Sequence, residues 1–249
     1  MAGKVLAKET GKFLIQHTYE QACKAELPEK VIIAADDEKI AAAAKSFGAE
    51  CILTSPDHQS GTDRIAEAAA NIDTDIIVNV QADEPELAPE NMDKVASLLI
   101  DNPDYPMATL VAPFEKSEDI ANPNVVKVVT TSHEPLVTAQ QSAAGRATSH
   151  SVVQALYFSR SPIPYDRQSG GIGSLSLYLR HIGIYAYRKD FLLKITTLPQ
   201  TTLEKTEKLE QLRAIENGYR ILVGRIEHTC DGIDTPEQYA EFVKRYKNS

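Results

Sequence analysis

Seven residues, NVQADEP from Asn79 to Pro85, set two adjacent carboxylates just behind the apolar run Ile76-Ile77-Val78. A short β-branched run reads as a buried strand, and carboxylates held at its end are costly unless a cation faces them. An arginine, a helix N-terminus or a metal ion would serve. In parallel sheets ligands bind beyond the carboxyl ends of the strands, where Gln81 and Asp83 fall. Magnesium takes oxygen ligands, commonly one or two carboxylates with phosphate oxygens and water, and Asp83 suits that role. The plainer reading is a β-turn whose aspartate caps the following segment. A second acid stands in a comparable place: GIDTP, residues 232–236, follows an apolar run near 221–226 and precedes a helix. By itself Asp234, with Thr235-Pro236, reads as a helix N-cap. Paired with Asp83 it completes a two-carboxylate site, and neither role excludes the other.

Five further stretches carry candidate chemistry. HQSGTDR, residues 58–64, combines a small-residue turn with a helix start. Ser60, Gly61 and Thr62 offer N–H groups and hydroxyls to a nucleotide or phosphate, although Thr62 is also an ordinary N-cap, and Arg64 is equally ambiguous. FSRSPIPYDR, residues 158–167, sets Arg160 and Arg167 around two prolines in an extended loop. Arginine suits bidentate capture of a carboxylate. RHIGIYAYR, residues 180–188, puts His181 and Tyr185 on alternating strand positions that face one side, where each is equally at home as a structural group. LEKTEKLEQLR, residues 203–213, reads as an amphipathic helix with Leu209 and Leu212 inward and Glu210 and Gln211 on a solvated face. Gly3-Lys4 is either a terminus without structure or a glycine turn whose lysine binds triphosphate as a point charge.

The elements that must position these residues follow from the spacing. Strands are expected at 31–34, 51–53, 75–80, 107–111, 125–129, 154–158, 181–187 and 219–224. Helices are expected at 37–47, ending at Gly48, and at 63–71, 89–99 and 203–216, with a terminal one from Pro236. This alternation predicts an α/β fold with a mostly parallel sheet covered by helices. Residues 132–151, polar and rich in Ser, Thr, Ala and Gln, read as a long loop or hairpin insertion.

Composition narrows the class. With 249 residues, one α/β domain with a small subdomain fits the length. A net charge of −9 argues against a nucleic-acid partner, whose binding surfaces are basic. Cys23, Cys51 and Cys230 are odd in number and widely spaced, as expected of reduced thiols in a cytoplasmic protein. No apolar stretch is long enough to span a bilayer, and no signal peptide opens the chain.

In order along the chain, AGK, TGKFLIQH, VIIAADDEKIAAAA, HQSGTDR, NVQADEP, NPNVVKVV, ALYFSRSPIPYDR, RHIGIYAYR, KTEKLEQLRAIENG and GIDTPEQ resemble the motifs of the 3-deoxy-manno-octulosonate (Kdo) cytidylyltransferases. The resemblance runs from Gly3 to the terminal helix. It implies a three-layer, Rossmann-like fold of the nucleotide-diphospho-sugar transferase type, in one domain spanning 1–249. Nucleotide would bind to about 1–130 and 219–249, and sugar binding and dimerisation would fall to about 150–218. The implied reaction joins CTP and Kdo into CMP-Kdo and diphosphate with Mg2+, supplying lipopolysaccharide synthesis, in a cytoplasmic homodimer. Asp83 and Asp234 would be the magnesium ligands, and Lys4 would meet the triphosphate. Ser60, Gly61 and Arg64 would lie on the nucleotide side. Gln81, Arg160, Arg167, His181, Tyr185, Glu210 and Gln211 would form the sugar-acid site. Sialate cytidylyltransferases share the fold and nucleotide, and form the alternative within enzymes.

Three features depart from the family pattern. Nothing before Gly3-Lys4 corresponds to the family's opening strand and its arginine- and serine-bearing phosphate turn. Burial in such a strand is worth roughly 1.5–3 kcal/mol per large side chain, so the chain as it starts at Met1 is expected to be weakly stable and poorly active. A non-catalytic nucleotide- or sugar-binding relative is the alternative of a different class. Ala82 stands where glycine is usual, which a turn with positive φ would resist. Residues 132–153 are longer than the usual connection.

Overall fold

The structure, a computed structural model, describes residues 3–58, 60–132, 152–227 and 232–248. After a 3-10 turn at Lys4–Leu6 come α1 (Leu14–Ala22), β1 (Ile32–Ala35), α2 (Glu38–Ser46), β2 (Glu50–Leu53), α3 (Gly61–Ala69), β3 (Ile76–Asn79) and α4 (Pro89–Asp101). The chain continues through β4 (Met107–Pro113), α5 (Ser117–Ala121), β5 (Lys127–Thr130), β6 (Ala155–Ser159), β7 (Leu179–Arg188) and α6 (Lys189–Ile195). Helices α7 (Thr202–Glu207) and α8 (Gln211–Glu216), strand β8 (Ile221–Arg225) and helix α9 (Pro236–Asn248) complete it. Two compact units emerge: Met1–Ser97 with Gly183–Thr197 and Thr229–Ser249, and Leu98–Ile182 with Leu198–His228.

In the first unit β1 and β2 run parallel, with Ile32 opposite Glu50 and Ala35 opposite Leu53. Strand β3 pairs antiparallel with the later part of β7, with Asn79 opposite Tyr185. Helix α1 presents Leu14 and Ile15, adjacent in sequence, to two different apolar clusters. Ile15 joins Ile33, Ala35 and Ala44, against which Val5 and Ala82 pack. Leu14 joins Ile233, Tyr239 and Phe242, against which Ala7 packs. Val5 lies within the turn that carries Lys4 and Ala7 follows it, Ala82 precedes Asp83, and Ile233 precedes Asp234. Burial of these apolar neighbours therefore fixes where the three charged side chains start.

In the second unit β5 lies antiparallel to β6, with Lys127 opposite Ser159, and to the first residues of β7. Strands β4 and β8 run parallel, from Met107 opposite Ile221 to Val111 opposite Arg225. The pairing is thus mixed where the alternation pointed to a mostly parallel sheet. Strands such as β7, reached without a helical crossover, are free to run antiparallel.

The helix expected over 203–216 is two helices, because Lys208 takes a left-handed φ of 54°. Helices α1, α5 and α6 were not anticipated. Helix α1 lacks a capping side chain, its N-cap being Phe13, so the usual start signal is missing. Among the described residues Lys208 alone of the non-glycines has positive φ, so Ala82 meets no strain. The loop expected over 132–151 lies almost wholly outside the described residues.

Candidate active site

Lys4 begins its 3-10 turn behind Gly3, whose φ of 69° is one that a residue with a Cβ resists. Its Nζ donates to a carboxylate oxygen of Asp83 at 2.6 Å and to one of Asp234 at 2.8 Å. The two acids are far apart in the chain, yet their backbones are tied directly, since the N–H of Ile233 donates to the Asp83 carbonyl at 2.9 Å. The hydroxyl of Thr18 also donates, at 3.1 Å, to the carbonyl of Ala82. Partial burial works to lower the pKa of Lys4, but hydrogen bonds to Asp234 and Asp83, with the charges behind them, hold it above the ordinary lysine value.

Neither acid is a helix cap. Thr235 caps α9, its Oγ1 accepting from Gln238 N at 3.2 Å, while Gln238 Oε1 accepts from the N–H groups of Asp234 and Thr235 at 2.8 and 2.9 Å. This is a capping box, and it leaves the Asp234 carboxylate, 77% exposed, to meet Lys4. The N-cap expectation for Asp234 is therefore corrected by one residue. The Asp83 carboxylate likewise meets Lys4 and, among the described residues, no backbone N–H.

Two carboxylates converging on one cationic atom form a donor set that a hard divalent cation would accept, with phosphate oxygens and water filling the remaining positions. Among the described residues no group of three or more His, Cys, Asp or Glu side chains forms a metal cluster. Two carboxylates are enough for a magnesium ion that arrives with a nucleotide.

On the proposed nucleotide side, Ser60 is the N-cap of α3: its Oγ accepts from Asp63 N at 3.1 Å and donates to the Asp63 carboxylate at 2.9 Å. Thr62, read above as a cap, lies inside the helix. Gly61 opens α3, and a Cβ there would meet nothing within 4 Å. Arg64 pairs with Asp36, the residue that follows β1, and its Nε is buried without a partner among the described residues. Gln81 and Glu84 pack over Gly183 of β7, where an added Cβ would come 3.3 Å from the Glu84 carboxylate. Tyr185 stands two residues further along β7, its ring 5.8 Å from that of Tyr187.

In the second unit Arg160 is largely spoken for. Its Nε donates to the Glu207 carbonyl at 2.6 Å, one Nη to the Pro123 carbonyl at 2.9 Å and the other to the Lys208 carbonyl at 3.4 Å. Three of five N–H donors are thus held by backbone, which makes Arg160 a rivet as well as a candidate ligand. Arg167 sits exposed on a turn closed by paired hydrogen bonds between Asp166 and Gly171, at 2.8 and 3.0 Å. His181 meets the Thr109 hydroxyl at 3.0 Å and the edge of Phe158, and burial pushes its pKa down to about 3. Glu210 is exposed ahead of α8. Gln211, expected on a solvated face, is instead 5% exposed with no partner for its Nε2 among the described residues.

The cytidylyltransferase family model matches residues 1–221. A 3-deoxy-manno-octulosonate cytidylyltransferase of Solibacter usitatus is 44% identical over 247 residues, 99% of this chain and 89% of the relative. That of Pelobacter propionicus is 44% identical over 253 residues, covering 98% and 91%. The chain belongs to the 3-deoxy-manno-octulosonate cytidylyltransferase family. A solved structure of CMP:2-keto-3-deoxy-manno-octonic acid synthetase complexed with CTP matches at a TM-score of 0.84 and 36% identity, over 100% of this chain and 93% of that one. A cytidylyltransferase of Leptospira borgpetersenii matches at a TM-score of 0.59 with 14% identity over 100% and 82%, a likeness of fold alone.

Within this cytidylyltransferase, three residues that support the candidate site were not singled out from sequence. Asp36 orients Arg64, Lys127 anchors the strand before Arg160, and Glu207 gathers the Ser159 hydroxyl at 2.7 Å and the Arg160 N–H at 3.0 Å. One signal was available: a lysine inside the apolar run Val125-Val126-Lys127-Val128-Val129 is out of place unless its ammonium finds acceptors.

Proposed function

We propose that this chain transfers the cytidylyl group of CTP to Kdo, giving CMP-Kdo and diphosphate, with a magnesium ion held at Asp83 and Asp234. The sugar's anomeric hydroxyl attacks the α-phosphorus, the new bond being O–P. The bond from that phosphorus to the β-phosphate oxygen breaks, and diphosphate leaves with the electron pair. When bound, the cation neutralises phosphate charge and lowers the pKa of a nearby hydroxyl. This chain's own residues supply position and charge, the main terms in such transfers. Lys4 contacts the triphosphate, the start of α3 with Arg64 faces the nucleotide, and Asp36 keeps the guanidinium aimed. Gln81, Tyr185, Arg160, Arg167, His181, Glu210 and Gln211 serve the sugar acid, whose carboxylate calls for an arginine and whose hydroxyls call for polar groups. The observation that carries the reading is the convergence of Lys4, Asp83 and Asp234 within 2.6 and 2.8 Å, in a chain 44% identical to family members over nearly its full length.

The same reading includes a cytoplasmic homodimer whose product serves lipopolysaccharide assembly. The test is diphosphate release with CTP and either Kdo or sialic acid, in the presence of magnesium. Release with Kdo and little with sialic acid is expected. Turnover with sialic acid alone would transfer the chain to the sialate class, and CTP binding without release from either acid would make it a non-catalytic relative.

A further inference from the structure

We propose that Lys4 is an internal counter-ion that couples the two ligands, so that the divalent cation binds with the nucleotide and only weakly before it. This inference rests on the cation site at Asp83 and Asp234 described above.

The main chain that carries the two acids is fixed independently of the lysine. Ile233 N–H donates to the Asp83 carbonyl at 2.9 Å, and Gly232 is seated so that an added Cβ would lie 3.8 Å from that same carbonyl oxygen. Gln238 fixes the N–H groups of Asp234 and Thr235. Lys4 reaches in from a 3-10 turn on a flexible stem, with its side chain 21% exposed. Each carboxylate spends an oxygen on its ammonium, at 2.6 and 2.8 Å.

A cation held by both acids would compete with Lys4 for the same two carboxylates and would lie within a few ångströms of the ammonium, where two positive charges repel strongly. Lys4 must therefore leave before or as the cation enters. A triphosphate offers the ammonium a better-charged partner, and a lysine serves phosphate as a point charge. Nucleotide binding thus releases the carboxylate oxygens, and coupling of this kind is reciprocal. Lys4 contributes in both states: it neutralises the acids first and the phosphates afterwards.

The experiment titrates the intact protein with Mn2+ alone and follows the loss of the free-ion electron paramagnetic resonance signal, a readout independent of turnover. Lys4→Met removes the charge and keeps the stem, and Lys4→Gln is a second variant that guards against a packing effect of methionine. Lys24→Met removes an equal charge from an exposed lysine whose ammonium bonds Gln21, and so controls for net charge. The expected result is Mn2+ binding at least about tenfold tighter in both Lys4 variants and changed less than about twofold in Lys24→Met, the tightening being lost when Asp83→Asn is added. Equal Mn2+ affinity in wild type and Lys4 variants, with Asp83→Asn still weakening it, overturns the inference and leaves the cation site standing. Mn2+ binding that ignores Asp83 and Asp234 in every form, with or without CTP, overturns the cation site and the inference together.

Discussion

Asp234 and Thr235 show how two neighbouring residues divide two tasks that the sequence alone leaves merged. Thr235 caps α9 while Asp234 points its carboxylate at Lys4. Substitution should separate the tasks. Thr235→Ala is expected to cost about 1 kcal/mol of stability, the usual worth of an N-cap, with a small effect on turnover. Asp234→Asn and Asp83→Asn are expected to lower turnover at least about a hundredfold, as loss of a charge-stabilising group does, with melting temperature little changed. Thermal melts beside diphosphate-release assays check both, and an active Asp234→Asn would remove that residue from the proposed cation site. His181 carries a prediction of a different kind. Its pKa is lowered from 6.5 to about 3 by burial, so between these values the unfolded chain binds a proton that the folded chain refuses. Stability is therefore fully present above pH 6.5 and falls as pH drops toward 3, by at most about 1.4 kcal/mol per pH unit from this group. His17, also lowered by burial, adds the same sign. His181→Gln, whose amide can still meet the Thr109 hydroxyl, is expected to flatten the acid limb of denaturant melts between pH 6.5 and 4. An unchanged limb would show that the ring is not kept neutral.

At the scale of elements, strand β5 and the α7–α8 corner decide where Arg160 lies. Lys127 is fully buried, yet its Nζ donates to the carbonyls of Asn122 at 3.0 Å, Val125 at 2.7 Å and Arg160. Burial works to lower its pKa, with the nearby Arg160 charge acting in the same direction. Lys127→Met leaves three acceptors without their donor and is expected to destabilise the protein by roughly 3 kcal/mol, since an abandoned buried polar group costs its full desolvation. It should also raise KM for the sugar acid more than it lowers kcat, by shifting the Arg160 backbone. Urea melts and initial rates give both readouts, and a stable variant with unchanged KM would deny Lys127 the positioning role. The strand positions were legible because β-branched runs repeat every two residues against polar turns, and β1, β3 and β4 fall within one or two residues of expectation. The α7–α8 break was not, because no glycine or proline marks it. It is made by Arg160, distant in sequence, which takes the carbonyls of Glu207 and Lys208 that end α7. A buried Glu204–Arg213 pair then folds α8 back on α7 and carries Gln211 inward with it. Periodicity reports which residues prefer a helix, and says nothing of a cap supplied from another segment.

For the molecule as a whole, the two acids and their pairing were legible in their motifs, but what brings about the meeting was not. It depends on Leu14 and Ile15 dividing between two clusters, a long-range packing that no local pattern encodes. Assembly belongs to the same scale. Leu156, Tyr165, Ile172 and Leu177 of the second unit are 55%, 69%, 37% and 39% exposed, within the 150–190 region that the family resemblance assigns to a dimer. Apolar side chains of this kind would be covered by a partner where they form one patch, and a second copy is the partner the resemblance implies. Each chain carries a net charge of −9, so two copies repel at long range while their apolar faces attract at contact. Screening lengths fall from ~30 Å at ~0.01 M salt to ~8 Å at ~0.15 M, which removes most of the repulsion and none of the burial. Light scattering at micromolar concentration is expected to give twice the chain mass, and sedimentation is expected to show tighter association as salt rises across that range. Leu156→Glu combined with Tyr165→Glu should shift the particle toward monomer with unchanged far-ultraviolet circular dichroism, because both side chains are already solvent-facing within one chain. A wild-type monomer at every salt concentration would exclude the dimer. Association that weakens with salt would instead point to an interface held by ion pairs elsewhere on the surface.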